Sequence, residues 1–383
     1  MESKNITYVG FYGTRDKKGG RSGALSAMTK MDYVSQVLTE LDYDVNIISP
    51  SWLTPRVEKS NKFESGSTKS IAPSVSLTFF SSWMSKNKFI RALRVPYSLF
   101  CLCFWLMFKV RREDTVICYH APFLFWPVFL AKKIKKFNLI LEVEELYHKV
   151  WTIKPRHEIW EKKLISLADS FIAVSELLAE HLPADKEKVI LYGSYQLLPP
   201  PVVEDIIDND NKIKVVYAGV IDEIKGGAFK LIEATKYLPD NYSVYILGYG
   251  NHMMLGHAKN LIEKYHLSEK CHYIGALHGT VLSDFLLSCD IGVNPQNTGC
   301  YMETALPSKV LTYLAHHLKV VSSEVASLQS SKLADKIKFS FSDSPVDIAS
   351  MIKSMPDVKR NKSNTELIQS LHQNFAGQLK TLI

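Results

Sequence analysis

Short apolar runs alternate with helical patterns along the whole chain. Ile6–Gly10, Val45–Ser49, Thr115–Tyr119, Leu139–Val143 and Ser170–Val174 are brief and apolar, the pattern of buried parallel strands. Between them the spacing predicts helices over Ala24–Leu41, Pro127–Lys136 and Arg156–Leu167. The alternation breaks at Leu197-Leu198-Pro199-Pro200-Pro201 and the polar, acidic stretch Glu204–Asn211. Proline neither continues a helix nor donates within a central strand, so this segment reads as a linker. A second series follows, with strands at Ile213–Ala218, Ser243–Leu247, His272–Ile274, Ile291–Val293 and Val320–Ser322. Helices are predicted at Gly227–Leu238, His257–Tyr265, Leu282–Leu287 and Ser308–Ala315. Such alternation implies parallel sheets with helices on both faces. The expected class is α/β, with two Rossmann-like doubly wound domains facing a central cleft. The expected division is 1–198, 199–365, and a terminal helix over 366–383 that packs back on the first domain.

Composition changes this picture little, but charge changes it more. Of the 383 residues, 46% are hydrophobic and 22% charged, ample material for two cores. Six cysteines form neither a Cys-x-x-Cys pair nor a ligand cluster, which argues against a zinc site or a disulfide framework and for reduced thiols in the cytoplasm. The first residues show no charged and then apolar leader pattern. Residues 1–150 carry 22 Lys and Arg against 13 Asp and Glu, while the remainder has 24 against 26, so all of the net charge of +7 arises from the first domain. An anionic partner for that half alone is implied. No nucleic-acid-binding module is present, and the second half is slightly acidic, which excludes nucleic acid as the partner.

Two segments of the second half carry anion-binding chemistry. Tyr217-Ala218-Gly219-Val220-Ile221-Asp222-Glu223-Ile224-Lys225-Gly226-Gly227 joins a strand end to a helix start. Ligands of open α/β sheets bind at such ends, and the free N–H groups of a helix start favour an anion. Lys225 adds a mobile charge, and Gly226 allows close backbone approach. A routine turn with a solvated lysine is the plain alternative. Leu306-Pro307-Ser308-Lys309-Val310-Leu311-Thr312-Tyr313-Leu314 opens a second helix, with Pro307 expected at its first position. The polar loop Asn294-Pro295-Gln296-Asn297 precedes it.

Taken in order, Lys225-Gly226, Leu247-Gly248-Tyr249-Gly250, Tyr273-Ile274-Gly275, Ser288-Cys289-Asp290-Ile291-Gly292-Val293-Asn294-Pro295 and Leu306–Leu314 resemble the donor domain of family 4 glycosyltransferases, of the bacterial polysaccharide and O-antigen type. The resemblance is best over 213–325 and weaker over the first 195 residues. It implies the GT-B fold, with an acceptor-binding N-terminal domain and a donor-binding second domain. It also implies hexosyl transfer, without a metal and with retention, from a nucleotide-diphosphate sugar, UDP rather than GDP. By resemblance the donor would be held by Gly219, Lys225, Gly226, Gly248, Asn297, Pro307, Ser308, Lys309 and Thr312. Two positions depart from the pattern: Val220 stands where an arginine is usual, and Thr312 where a glutamate holds the ribose. Lys309 then supplies positive charge, and Glu303 is a candidate for the carboxylate's part.

The first half contributes further candidates. The loop containing Gly19, Gly20 and Arg21 resembles the family's N-terminal loop that closes on donor phosphates and acceptor; a solvated surface loop is the alternative. His120, after a buried strand, resembles the histidine near the reactive sugar carbon, against the alternative of a satisfied core histidine. Glu142 and Glu144 share one face of a strand, and Glu144 is the candidate acceptor-binding group or base, unless nearby lysines pair with it.

The run Val95–Phe108 is shorter than the ~20 residues of a spanning helix, and by itself reads as a core helix. Its flanks, Lys86–Arg94 and Lys109–Arg112, and the later Lys132–Lys136 are rich in cations. Aromatic residues beside clustered cations describe peripheral contact with an anionic membrane and suit a lipid-linked glycan acceptor of lipopolysaccharide or capsule synthesis. Two other functions remain open: a nucleotide-sugar 2-epimerase of similar fold, and a non-catalytic partner subunit.

Overall fold

The computed structural model describes residues 4–13, 20–54, 61–150, 153–195, 198, 212–223, 226–297, 304–355 and 363–383. The chain divides into two compact units: Met1–Val174, Leu178–Ser194 and Asn374–Ile383 form the first, and Ser175–Leu177 with Tyr195–Gln373 the second. The terminal helix Ser363–Leu382 contributes to both, its last turns stacking Phe375 near Tyr33 in the first unit.

Strands of the first unit are β1 (Lys4–Val9), β2 (Tyr43–Ser49), β3 (Lys62–Glu64), β4 (Ser67–Ala72), β5 (Val75–Phe79), β6 (Ser82–Met84), β7 (Thr115–Tyr119), β8 (Asn138–Val143), β9 (Ser170–Ala173) and β10 (Lys188–Ile190). They form an eight-stranded sheet in the order β10-β9-β8-β7-β1-β2-β5-β4, with β3 and β6 paired separately. All its pairings are parallel except β4 with β5. β4 was not legible as a strand because all six of its residues are exposed, as an edge strand allows.

The connections β1→β2 and β7→β8 step in opposite directions from the sheet centre. Right-handed crossovers therefore put helix Leu25–Glu40 on one face and helix Phe125–Lys135 on the other. Helices Lys88–Lys109 and Pro155–Leu167 step the same way as Phe125–Lys135 and pack on either side of it.

One expectation needs correction. The run Val95–Phe108 belongs to a 22-residue helix, Lys88–Lys109, with its N-terminus capped by the Asn87 side chain. Only Ser98, Leu102, Cys103 and Leu106 are buried, so it is not a core helix. By length and composition it meets the criterion for crossing a membrane. The charged residues Lys88, Arg91 and Arg94 hid its full length in the sequence.

The second unit contains β11 (Ile213–Val220), β12 (Tyr242–Tyr249), β13 (Cys271–Gly275), β14 (Ile291–Asn294), β15 (Lys319–Ser322) and β16 (Ile337–Phe339). They form a wholly parallel sheet, order β13-β12-β11-β14-β15-β16, the doubly wound arrangement. Its core includes Tyr217, Leu231, Val244, Ile246, Ile291 and Ile348. Helix His252–Lys264 begins five residues before the predicted start, because the Asn251 side chain accepts the Met254 N–H and caps it there.

Strand β14 passes directly beneath the Tyr313 ring, and a Cβ on Gly292 would overlap that ring. We expect Gly292→Ala to destabilise the protein by roughly 1–3 kcal/mol as overpacking does. Urea unfolding measures it; an unchanged midpoint would show that the ring can yield.

Candidate functional site

The topological switch point of the second sheet lies between β11 and β14, and the expected donor residues gather there. Tyr313 bridges the two strands: its hydroxyl accepts the Ala218 N–H at 2.8 Å and lies 3.5 Å from Val293 O. The ring is fully buried, which raises its hydroxyl pKa and keeps the phenol neutral. Tyr313 thereby sets the position of helix Ser308–Ala315 over the strand ends.

That helix runs over Ser308–Ala315, as the sequence predicts. Pro307 is its N-cap rather than a residue of its first turn, and the N-cap side chain makes no capping hydrogen bond, as a proline side chain has no acceptor. Pro307 is buried and Ser308 exposed. Lys309 lays its ammonium 4.2 Å from the centroid of Tyr217, a cation–π contact, while the Tyr217 hydroxyl donates to Val220 O at 2.7 Å. Gly219 makes room for that lysine: a Cβ there would lie 3.2 Å from Lys309 Cε. Thr312 donates to Ser308 O at 3.3 Å, within its own helix.

Glycine is required at two neighbouring points. Gly248 pairs with Gly219 across β11 and β12 with φ 143°, and a Cβ on it would overlap Gly219 O. Gly226 is the left-handed N-cap of helix Gly227–Ala234, again without a side-chain cap. A Cβ on Gly226 would lie 3.0 Å from Asn297 Oδ1, so the Asn297 amide sits against this helix start. Gly219, Gly226, Gly248, Asn297, Pro307, Ser308, Lys309 and Thr312 are thus brought to one end of one sheet. Lys225 and Glu303 lie outside the described residues. Tyr217 and Tyr313 were not singled out in the sequence; a tyrosine inside an apolar strand and another on the buried face of a short helix were the available signals.

In the first unit the strand ends form a different, buried network. Glu142 is fully buried, accepts the Tyr8 O–H and lies 3.8 Å from Lys30. Lys30 pairs with Glu144 and donates to Leu191 O. Glu144 is therefore half-buried and engaged by a lysine, the alternative to a free base. Lys30 was detectable only as a cation among Ala27, Met28, Met31 and Val34 on the buried side of its helix.

His120 is buried at the end of β7, its Nε2 3.5 Å from Glu161 Oε1. Glu161 is itself fully buried; it accepts the backbone N–H groups of Tyr147 and His148, at 2.7 and 3.0 Å, and contacts His148 Nδ1 at 2.8 Å. The Tyr147 hydroxyl donates to His120 O.

Arg21 was expected in a phosphate loop, but its buried guanidinium is committed elsewhere. It donates to Ser51 O, pairs with Glu64 and stacks 4.7 Å from the Phe79 ring centroid. Gly20 O accepts from Thr54 N and Oγ1. Gly19 lies outside the described residues.

Comparison with known proteins is informative for structure alone. No protein-family model matches the chain, and no curated protein matches its sequence. Among solved structures, a sucrose-phosphate synthase from Thermosynechococcus elongatus superposes with TM-score 0.72 at 14% identity, covering 99% of this chain and 98% of that one. A trehalose-6-phosphate synthase of E. coli, bound with UDP-2-fluoro glucose, gives 0.67 at 8%, covering 99% and 98%. Anabaena HepE in complex with UDP and glucose gives 0.65 at 10%, covering 99% and 100%. These neighbours are GT-B glycosyltransferases. The fold is GT-B.

Within this GT-B chain, two buried groups of the first unit titrate with opposite effects on stability. Burial pushes the His120 imidazole down to about 4, against the attraction of Glu161, so it is neutral at pH 7. Burial pushes the Glu142 carboxyl up to about 7, opposed by Lys30. The His120 contribution is lost as pH falls from its ordinary 6.5 towards 4. The Glu142 contribution is present below its ordinary 4.5 and lost as pH rises through about 7. The two slopes oppose each other where they overlap. Glu142→Gln should leave the His120 slope alone, so urea-unfolding stability relative to wild type should rise with pH from about 4.5 to 7. A pH-independent difference between the two proteins would contradict the raised carboxyl.

Proposed function

We propose that this protein transfers a hexose from a UDP-sugar to a lipid-linked glycan of a bacterial polysaccharide or O-antigen type. The observation that carries the donor half is the Lys309 ammonium beside two helix starts that lack side-chain caps, at the switch point of one parallel sheet. Cleaving the bond from anomeric carbon to phosphate leaves negative charge on the departing diphosphate. Lys309, Lys225 and the N–H groups at Gly227 and Ser308 would stabilise that charge as it develops. Neighbours solved with UDP-2-fluoro glucose and with UDP and glucose favour uridine as the base. Retention and metal independence follow from the family resemblance. His120, neutral at pH 7, would accept or donate a hydrogen bond to the sugar rather than carry charge.

The acceptor is assigned to the first unit on its excess of cations and its apolar helix face. A cytoplasmic enzyme at the inner face of the membrane accords with that acceptor. A second reading, transfer to a sugar phosphate, is favoured by the neighbours named as sucrose-phosphate and trehalose-6-phosphate synthases. An acceptor panel separates the two, and isomerisation of a UDP-sugar without acceptor would instead indicate an epimerase.

Lys309→Ala should lower kcat on the order of 10²-fold, as loss of one group stabilising transition-state charge does. It should also reduce the thermal stabilisation that UDP gives the wild type. Lys225→Ala should act in the same direction. Unchanged transfer and an unchanged UDP shift in both variants would remove the donor site from this end of the sheet.

A further inference from the structure

Helix Lys88–Lys109 is apolar on two sides. Its inner side, Ser98, Leu102, Cys103 and Leu106, is buried in the first unit, and Ser98 Oγ donates to Pro50 O at 2.8 Å. Its outer side repeats at three and four residues through Phe89, Leu93, Tyr97, Phe100, Phe104 and Phe108. Phe89 is 85% exposed, Phe100 61% and Phe108 76%, where large aromatic residues ordinarily hide. The row spans about 28 Å at the rise of an α-helix.

The neighbouring helices continue the face. Helices Phe125–Lys135 and Pro155–Leu167 lie on the same side of the sheet and pack in sequence beside the long helix. They bury Val128, Ala131 and Leu164 and expose Trp126, Leu130, Ile134 and Ile159. Patches of this extent mark an interaction surface. Cations stand at its margins: Lys88 at one end of the long helix, Lys109, Arg111 and Arg112 at the other, with Lys133 and Lys136 closing the neighbouring helix. Lys132 is not among them, because it is largely buried, pairs with Asp169 and donates to Phe137 O, whereas Arg111 stays exposed although it lies 4.0 Å from Glu113.

We propose that this three-helix face docks the protein on an anionic lipid bilayer, with the Phe row in the acyl boundary and the flanking cations among the headgroups. The charge selects the occupant: an apolar field bordered by cations in excess of its few carboxylates, Glu113 beside Arg111 and Glu158 beside Lys162, complements an anionic interface. The buried inner side of the long helix holds it to the sheet, so it lies in the interface rather than crossing it. This docking deepens the acceptor reading, with which it shares the apolar face and the cations, and is independent of the donor-site reading.

The test is co-sedimentation of the full chain with vesicles of phosphatidylcholine, alone or with phosphatidylglycerol. Wild type should sediment with the anionic vesicles and remain in solution with the neutral ones. Phe100→Ser/Phe104→Ser/Phe108→Ser should abolish sedimentation. Lys109→Gln/Arg111→Gln/Arg112→Gln should lower partitioning on the order of 10²-fold. Urea-unfolding curves like that of wild type verify that both variants fold; the charge variant alone keeps the test decisive if the triple serine variant does not. Failure of wild type to bind, or binding by the charge variant equal to wild type, overturns the proposal. So does a wild-type dimer that the serine variant reduces to monomer without any vesicle binding, since the face would then join two copies. A loss of UDP-dependent stabilisation bears on the donor site and leaves this outcome unaffected.

Discussion

The second unit depends on how Tyr313 is seated between β11 and β14. Its hydroxyl satisfies the Ala218 N–H at the point where β11 separates from β14, and its ring fills the space over Gly292. Those two contacts fix the helix that begins at Ser308. Once that helix is placed, Lys309 reaches over the Tyr217 ring beside Gly219, and two helix starts without side-chain caps converge on one sheet end. The anion proposed to bind there would meet backbone dipoles that the packing has already oriented.

The first unit handles charge in the opposite manner. There the carboxylates at and beside the strand ends are matched by partners: buried Glu142 by the Tyr8 hydroxyl, half-buried Glu144 by Lys30, and buried Glu161, from helix Pro155–Leu167, by two backbone amides and His148. Burial of an ion costs several kcal/mol unless such partners compensate, so these networks constrain the β7 and β8 ends tightly. His120 sits within that constraint as a neutral imidazole. The same unit thus holds a few buried, partnered charges within an apolar core and an exposed apolar helix face outside it.

Much of the fold was legible before the structure. Buried parallel strands are continuous apolar runs, so β7 and most of β1, β2, β8, β9, β11, β12, β14 and β15 appear in the sequence within a residue or two. β4 and β5 do not, because an exposed edge strand has no apolar signature and its partner merely alternates. Of the site, Gly219, Gly226, Gly248 and the Pro307–Lys309 helix start were readable from spacing and resemblance. The packing of Arg21 against Phe79 and Glu64 was not legible, because a cation beside paired glycines looks the same in sequence in either setting.

Local sequence settled most of the buried parallel strands and which half of the chain is cationic, because these depend on side-chain type and period alone. Only the tertiary structure decided which lysine reaches which ring, which carboxylate is paired, and that the Phe row of Lys88–Lys109 faces outward. An apolar residue is written the same way on a core face and on a membrane face. What distinguishes them is what packs on the other side, and that is set by residues far away in the chain.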